Sequence, residues 1–135
     1  MAEVVARDEA RFMARTKSFQ RRSRELSPGL TAAFEAGKPD YLLEVPRDQG
    51  MTSVDPKITL DPRTLFHSDA PLVVEVGPGR GEQILHTAAR HPELNFLAFE
   101  VWVPGVARLV AAAAKEGLSN LKVIEADAQQ ALKTL

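Results

Sequence analysis

The pattern of apolar and polar positions along this chain changes abruptly at Pro71. Beyond it, short apolar runs alternate with stretches of helical period. "LVVEV" (72–76), "NFLAFEV" (95–101) and "LKVIEAD" (121–127) predict three strands. Between the first two, "GEQILHTAARH" (81–91) sets Ile84, Leu85, Ala88 and Ala89 on one helix face. "PGVARLVAAAAKEG" opens with Pro104, aligns Val106, Leu109, Val110 and Ala113, and stops at Gly117, while "AQQALKTL" starts a third helix. The order βαβαβα predicts an α/β fold, a Rossmann-like parallel sheet with flanking helices.

Before Pro71 the pattern is weaker. Residues 1–26 are polar and basic with scattered apolar positions, which predicts an arm with one helical segment at most. In "SPGLTAAFEAG", Ser27 suits an N-cap, Pro28 the first helical position and Gly37 a C-terminal stop. From Gly37 to Pro71 the chain carries five of its nine prolines, which predicts turns and short extended pieces, a connecting segment rather than a core. Three segments result: 1–37, a basic arm and short helix; 38–71, a Pro-rich connection; and 72–135, the α/β unit.

Composition adds limits. A chain of 135 residues with 44% hydrophobic and 26% charged residues has the makings of one globular domain. It contains no cysteine, so disulfides, thiolate metal sites and cysteine nucleophiles are excluded. No apolar run approaches the roughly 18 residues of a membrane helix, and the first residues lack the form of a secretory signal. The expectation is a soluble cytoplasmic protein that does not engage a membrane. His67, His86 and His91 show no metal-ligand spacing, so no metal site is expected. The net charge of −1 hides a local imbalance: "RFMARTKSFQRRSR" (11–24) holds six basic residues and no acidic one. Such an arm can grip phosphates, or it can be a solvated charge run.

The candidate chemistry lies in "VVEVGPGRGEQIL" (73–85). In an open parallel sheet, ligands bind beyond the carboxyl ends of the strands, and the turn after the first strand is the usual place. Gly77 and Gly79 can take backbone angles other residues avoid and let a ligand approach closely, and Gly81 would let the following helix pack near the strand; a tight turn with no ligand is the alternative. A dinucleotide fingerprint would need its third glycine where Glu82 stands, and a carboxylate opening the helix disfavours a pyrophosphate. Glu100 ends the second strand, where a carboxylate can accept hydrogen bonds from ribose hydroxyls or be an ordinary solvated residue. Glu75 lies between Val74 and Val76, where an ionised group needs a partner, an arginine, a helix terminus or a cationic ligand. S-adenosylmethionine, with its ammonium and sulfonium, suits that position better than a phosphate does. Asp127 ends the third strand, where it could meet the adenine side of a nucleoside or, with Gln130, cap the helix that follows, and both can hold at once because its amide and its side chain are separate groups.

From about Lys17 to Leu132 the chain resembles the bacterial tRNA (guanine-N7)-methyltransferases, a branch of the Rossmann-like S-adenosylmethionine-dependent methyltransferases. The resemblance rests on "KSFQRRSREL", "LFHSDAPLVVEVGPGRGEQIL", "HPELNFLAFEVWVPGV" and "EGLSNLKVIEADAQQAL". It implies that Glu75, Gly77, Gly79, Gly81, Glu100 and Asp127 contact S-adenosylmethionine. It further implies that Lys17, Phe19, Arg21, Arg22 and Arg24 contact tRNA. The implied reaction is attack of a guanine N7 lone pair, in the variable loop of tRNA, on the sulfonium methyl. Pro78 departs from the aromatic residue common in the family, and Trp102 from a histidine; Trp102 is expected to be a buried or interface aromatic rather than an adenine stack.

The family's later motifs, an aromatic-Pro-Asp-Pro-Trp segment with the catalytic aspartate among them, do not occur here, so the catalytic residue is unknown and only the first βαβαβα half is present. Strand 72–76 also has the composition of a strand with neighbours on both sides, yet in a 3-2-1 half-sheet it would be an edge. The expectation is an N-terminal part of a longer protein, or a second chain completing the sheet. A monomer with that strand bare at an edge would count against it. The alternative function is a non-catalytic RNA-binding module with a cofactor-like fold, and a nicotinamide-dependent oxidoreductase is a more distant one.

Overall fold

The computed structural model describes residues 25–79 and 81–135. Helix α1 (Pro28–Tyr41) and the short α2 (Pro62–Phe66) precede strand β1 (Leu72–Val76). Helix α3 (Glu82–Arg90), β2 (Asn95–Glu100), α4 (Val103–Glu116), β3 (Leu121–Glu125) and α5 (Ala128–Leu132) follow. The three strands form one parallel sheet in the order β1-β2-β3, with Glu75 beside Ala98 and Glu100 beside Glu125 in register. The α/β architecture is the one the alternating pattern predicts.

The chain steps across the sheet in one direction, so both crossover helices pack on the same face. There Ile84, Leu85 and Ala88 of α3 and Val106, Leu109, Val110 and Ala113 of α4 meet Phe96, Ala98, Leu121 and Val123. Ala89, expected on the buried face of α3, is exposed, because the apolar stripe narrows to Ile84, Leu85 and Ala88. Gly117 ends α4 in the left-handed conformation. Asn120, in the "EGLSNL" stretch, donates from Nδ2 to the carbonyls of Ala88, His91 and Leu94, each at 3.0 Å, and so ties the end of α3 to the start of β3.

Two expectations are corrected. Ser27 does cap α1, accepting from the Leu30 amide at 3.2 Å, but the helix runs on through Gly37 and Pro39 to Tyr41. Gly37 is a contact point and not a stop: a Cβ there would lie 2.8 Å from Val110 Cγ1, so the bare Cα is what lets α1 lie against α4. The Pro-rich stretch, expected to stay outside the core, contributes Val45, Val54, Leu60 and Phe66 to a second core with Leu97, Phe99, Ile124, Ala128 and Ala131 on the other face of the sheet. Prolines erase the periodicity by which buried positions are recognised, but they leave the intervening apolar side chains just as insoluble. Within it, Asp61 caps the five-residue α2, accepting from the Arg63 amide at 3.0 Å. Leu42 and Leu43 run beside β3, with the Leu43 amide donating to the Val123 carbonyl at 2.8 Å.

The two edges of the sheet therefore differ. β2 is buried along its whole length, and the outer edge of β3 is partly covered. β1 pairs only with β2, and Val73 and Val76 are 37% and 52% exposed. Among the described residues nothing lies on its outer side, the bare edge that would count against a missing neighbour if this chain were a complete monomer.

Candidate functional site

The turn after β1 is built from main chain. Gly77, Gly79 and Gly81 all take left-handed φ angles, of 64°, 62° and 80°, a conformation that side chains with a Cβ resist. The Gly77 amide donates to the Phe99 carbonyl at 2.8 Å, extending the β1–β2 ladder by one residue, and the Gly81 amide donates to Pro78 at 3.0 Å, closing the turn. Gly81 is the N-cap of α3 and Glu82 stands exposed in its first turn. A Cβ on Gly81 would also lie 2.6 Å from Leu109 Cδ1, so α4 presses directly on the turn.

Glu100 is brought to this turn from β2. Its carboxylate is 8% exposed and lies beside Gly77, 3.9 Å from where a Cβ on that residue would be. Burial raises its pKa, and hydrogen bonds from the Val101 and Trp102 amides offset part of that rise. The Glu100 carboxylate thus lies buried beside the bare Cα of Gly77. Glu75 lies one strand away and, by its register with Ala98, on the face of α3 and α4. It is half-buried, and desolvation raises its pKa. It forms no ion pair among the described residues.

Asp127 is placed differently. It is 5% exposed; Oδ1 accepts from the Gln129 amide at 2.9 Å and Oδ2 from Gln130 Nε2 at 3.4 Å. This is the helix-capping role. The capping box is not reciprocal, because the Asp127 amide donates to the Thr52 carbonyl at 2.8 Å and Gln130 Oε1 accepts from Val54 instead, at 3.0 Å. The Pro-rich segment thus takes the Asp127 amide, while the carboxylate is engaged within α5. The Ala126 amide donates to the Glu100 carbonyl at 3.1 Å, so Asp127 follows closely on the strand end that holds Glu100.

Trp102 is the N-cap of α4, half-buried, with the Arg108 guanidinium 5.9 Å above its ring and a buried Nε1 that has no partner among the described residues. Sequence reasoning missed Gly105. The Pro-Gly signal marks a helix start, but the packing shows a second use: a Cβ on Gly105 would lie 2.6 Å from the Gly79 carbonyl oxygen and 3.5 Å from Glu100 Oε1. Lys17, Phe19, Arg21, Arg22 and Arg24 lie outside the described residues. The histidines are dispersed: His67 caps α2, His86 contacts Arg90 and His91 bonds Glu93. A cavity of about 250 Å³ lies at the covered edge of β3, lined by Leu42, Leu43, Glu44, Arg47, Met51 and Glu125, apart from the glycine turn. Among the described residues no helix is long and apolar enough to cross a membrane.

Residues 69–135 match the family described as putative methyltransferase. A tRNA (guanine-N(7)-)-methyltransferase of Paenarthrobacter aurescens (strain TC1) is 38% identical over 124 residues, which are 92% of this chain and 41% of the relative. That of Cutibacterium acnes (strain DSM 16379 / KPA171202) is 41% identical over 118 residues, 87% of this chain and 43% of the relative. That of Hydrogenovibrio crunogenus (strain DSM 25203 / XCL-2) is 36% identical over 130 residues, 96% of this chain and 50% of the relative. The chain spans between about two fifths and half of the length of the curated relatives it matches.

Proposed function

Since the chain belongs to the family of bacterial tRNA (guanine-N(7)-)-methyltransferases, we propose that it forms the S-adenosylmethionine-holding part of an enzyme that methylates guanine N7 in tRNA. One observation carries this reading: the buried Glu100 carboxylate lies beside the bare Cα of Gly77, 3.9 Å from where a Cβ on that residue would be. When bound, S-adenosylmethionine would supply an electrophilic methyl on its sulfonium. Gly77, Gly79 and Gly81 would offer main chain to it, Glu100 would accept from its ribose hydroxyls, and Glu75 would balance its positive charge. Asp127, whose carboxylate keeps acceptor sites beyond its two capping contacts, would meet the adenine side. Lys17, Arg21, Arg22 and Arg24 would hold tRNA phosphates. Guanine N7 is an unprotonated acceptor, so positioning and electrostatics, rather than a strong base, are what the protein has to provide.

Calorimetry on the 135-residue chain tests this reading. S-adenosylmethionine binds and NAD does not, because Glu82 stands exposed in the first turn of α3, where a pyrophosphate would sit. Heat from NAD alone would overturn it, and heat from neither ligand would favour the non-catalytic RNA-binding module.

We further propose that a strand from additional polypeptide, of the same or a second chain, lies along β1. That the chain spans only about two fifths to half of its relatives' length supports this, and β1 has no partner beyond β2 among the described residues. In sedimentation the 135-residue chain alone then self-associates. A well-folded species with the mass of one chain, stable at high concentration, would remove the neighbour.

A further inference from the structure

We infer that Gly105 is a positioning residue for the cofactor: its missing side chain sets how closely α4 approaches the glycine turn, and thereby the spacing between that turn and the Glu100 carboxylate. The inference rests on the S-adenosylmethionine reading above.

Gly105 lies inside α4 and is not among the glycines with positive φ, so its backbone would accept any residue. What it cannot accept is volume. A Cβ would meet the Gly79 carbonyl oxygen at 2.6 Å and Trp102 Cε3 at 3.0 Å. The first of these is main chain, which has no rotamer to turn away. One turn later Leu109 presses on Gly81, so α4 bears on the glycine turn at two points. Glu100 is two residues before the N-cap of the same helix, and its Oε1 lies 3.5 Å from where a Cβ on Gly105 would be, so it sits against the start of α4. Glu100 and α4 therefore form one side of the ligand site and Gly77, Gly79 and Gly81 the other, and Gly105 is where they touch. A methyl group there wedges them apart. Gly37 offers a comparison: a Cβ on it would lie 2.8 Å from Val110 Cγ1, in the packing of α1 on α4, with no atom of the glycine turn among its nearest neighbours.

The test is calorimetry of the 135-residue chain with S-adenosylmethionine and with its 2′-deoxyadenosyl analogue, alongside circular dichroism and thermal unfolding. Gly105→Ala is expected to fold, to bind S-adenosylmethionine about tenfold more weakly or worse, and to lose its preference for the ribose over the deoxyribose ligand. Gly37→Ala is expected to melt earlier while keeping both the affinity and the preference. A folded Gly105→Ala with unchanged affinity and preference would overturn the inference, as would a Gly37→Ala that loses as much of both. If Gly105→Ala does not fold, Leu109→Val, which thins the second contact, is measured by the same preference, and no change overturns it. Wild-type chain that binds neither ligand removes the cofactor reading and this inference together, whereas wild-type binding with an indifferent Gly105→Ala removes only the inference.

Discussion

Glu100→Gln is expected to weaken S-adenosylmethionine binding by roughly ten- to 150-fold, the worth of a hydrogen bond to a charged group, while making the unliganded chain more stable at neutral pH. The second effect follows from burial. Glu100 is 8% exposed, and desolvation holds its pKa above the ordinary 4.5 despite the two amides that donate to it. Glu75 is shifted in the same direction by the same cause. A carboxyl whose pKa is higher in the folded state than in the unfolded chain binds its proton more tightly when folded. The folded state is then favoured most below the unfolded value. Stability falls as pH rises through the window from about 4.5 up to the raised folded value, and above it the full cost of the buried charge is present. Glutamine carries no such cost. Thermal melts from about pH 4 to 8 should show the wild type losing stability upward through that window and Glu100→Gln losing less. Equal pH dependence in the two proteins would mean that Glu100 is not a source of that cost. Since a cationic ligand compensates the same charges, affinity for S-adenosylmethionine should decline as pH is lowered through the window.

Replacing Arg21, Arg22 and Arg24 together by alanine should reduce the slope of log affinity for tRNA against log salt by about two to three. Each phosphate contact releases condensed counterion and contributes roughly 0.7 to 0.9 to that slope. The arm holds six basic residues between Arg11 and Arg24 without an acidic one, so three substitutions leave a residual basic charge and a residual slope. Affinity should fall most at low salt and converge with that of the wild type as salt rises. Binding to S-adenosylmethionine should not change, which separates loss of RNA contact from loss of fold. A slope equal to that of the wild type would leave the arm a solvated charge run.

How much of this was legible in the residues differs from element to element. The strands and helices after Pro71 were, because each carries its own period, and the structure places them within one or two residues of the predicted limits except at the end of α5, which stops at Leu132. The helix begun by Ser27 was legible at its start, where a cap is a local signal, and misread at its end. Gly37 ends helices in general, but here it faces Val110, a residue 73 positions away. The second core was not legible, because Val45, Val54, Leu60 and Phe66 are separated by prolines and follow no period.

The same division runs through the site. Sequence alone determined the glycine turn and its left-handed positions, the carboxylates ending the strands, the parallel order of the sheet and the basic arm, since all of these depend on residue type and near neighbours. Only the tertiary structure decided that Glu100 meets the turn, that Asp127 caps α5 and bonds Thr52, that Gly105 serves for closeness rather than conformation, and that β1 has no partner beyond β2 among the described residues. Each of these depends on which distant groups arrive at the same place, and a one-dimensional pattern does not encode distance between elements.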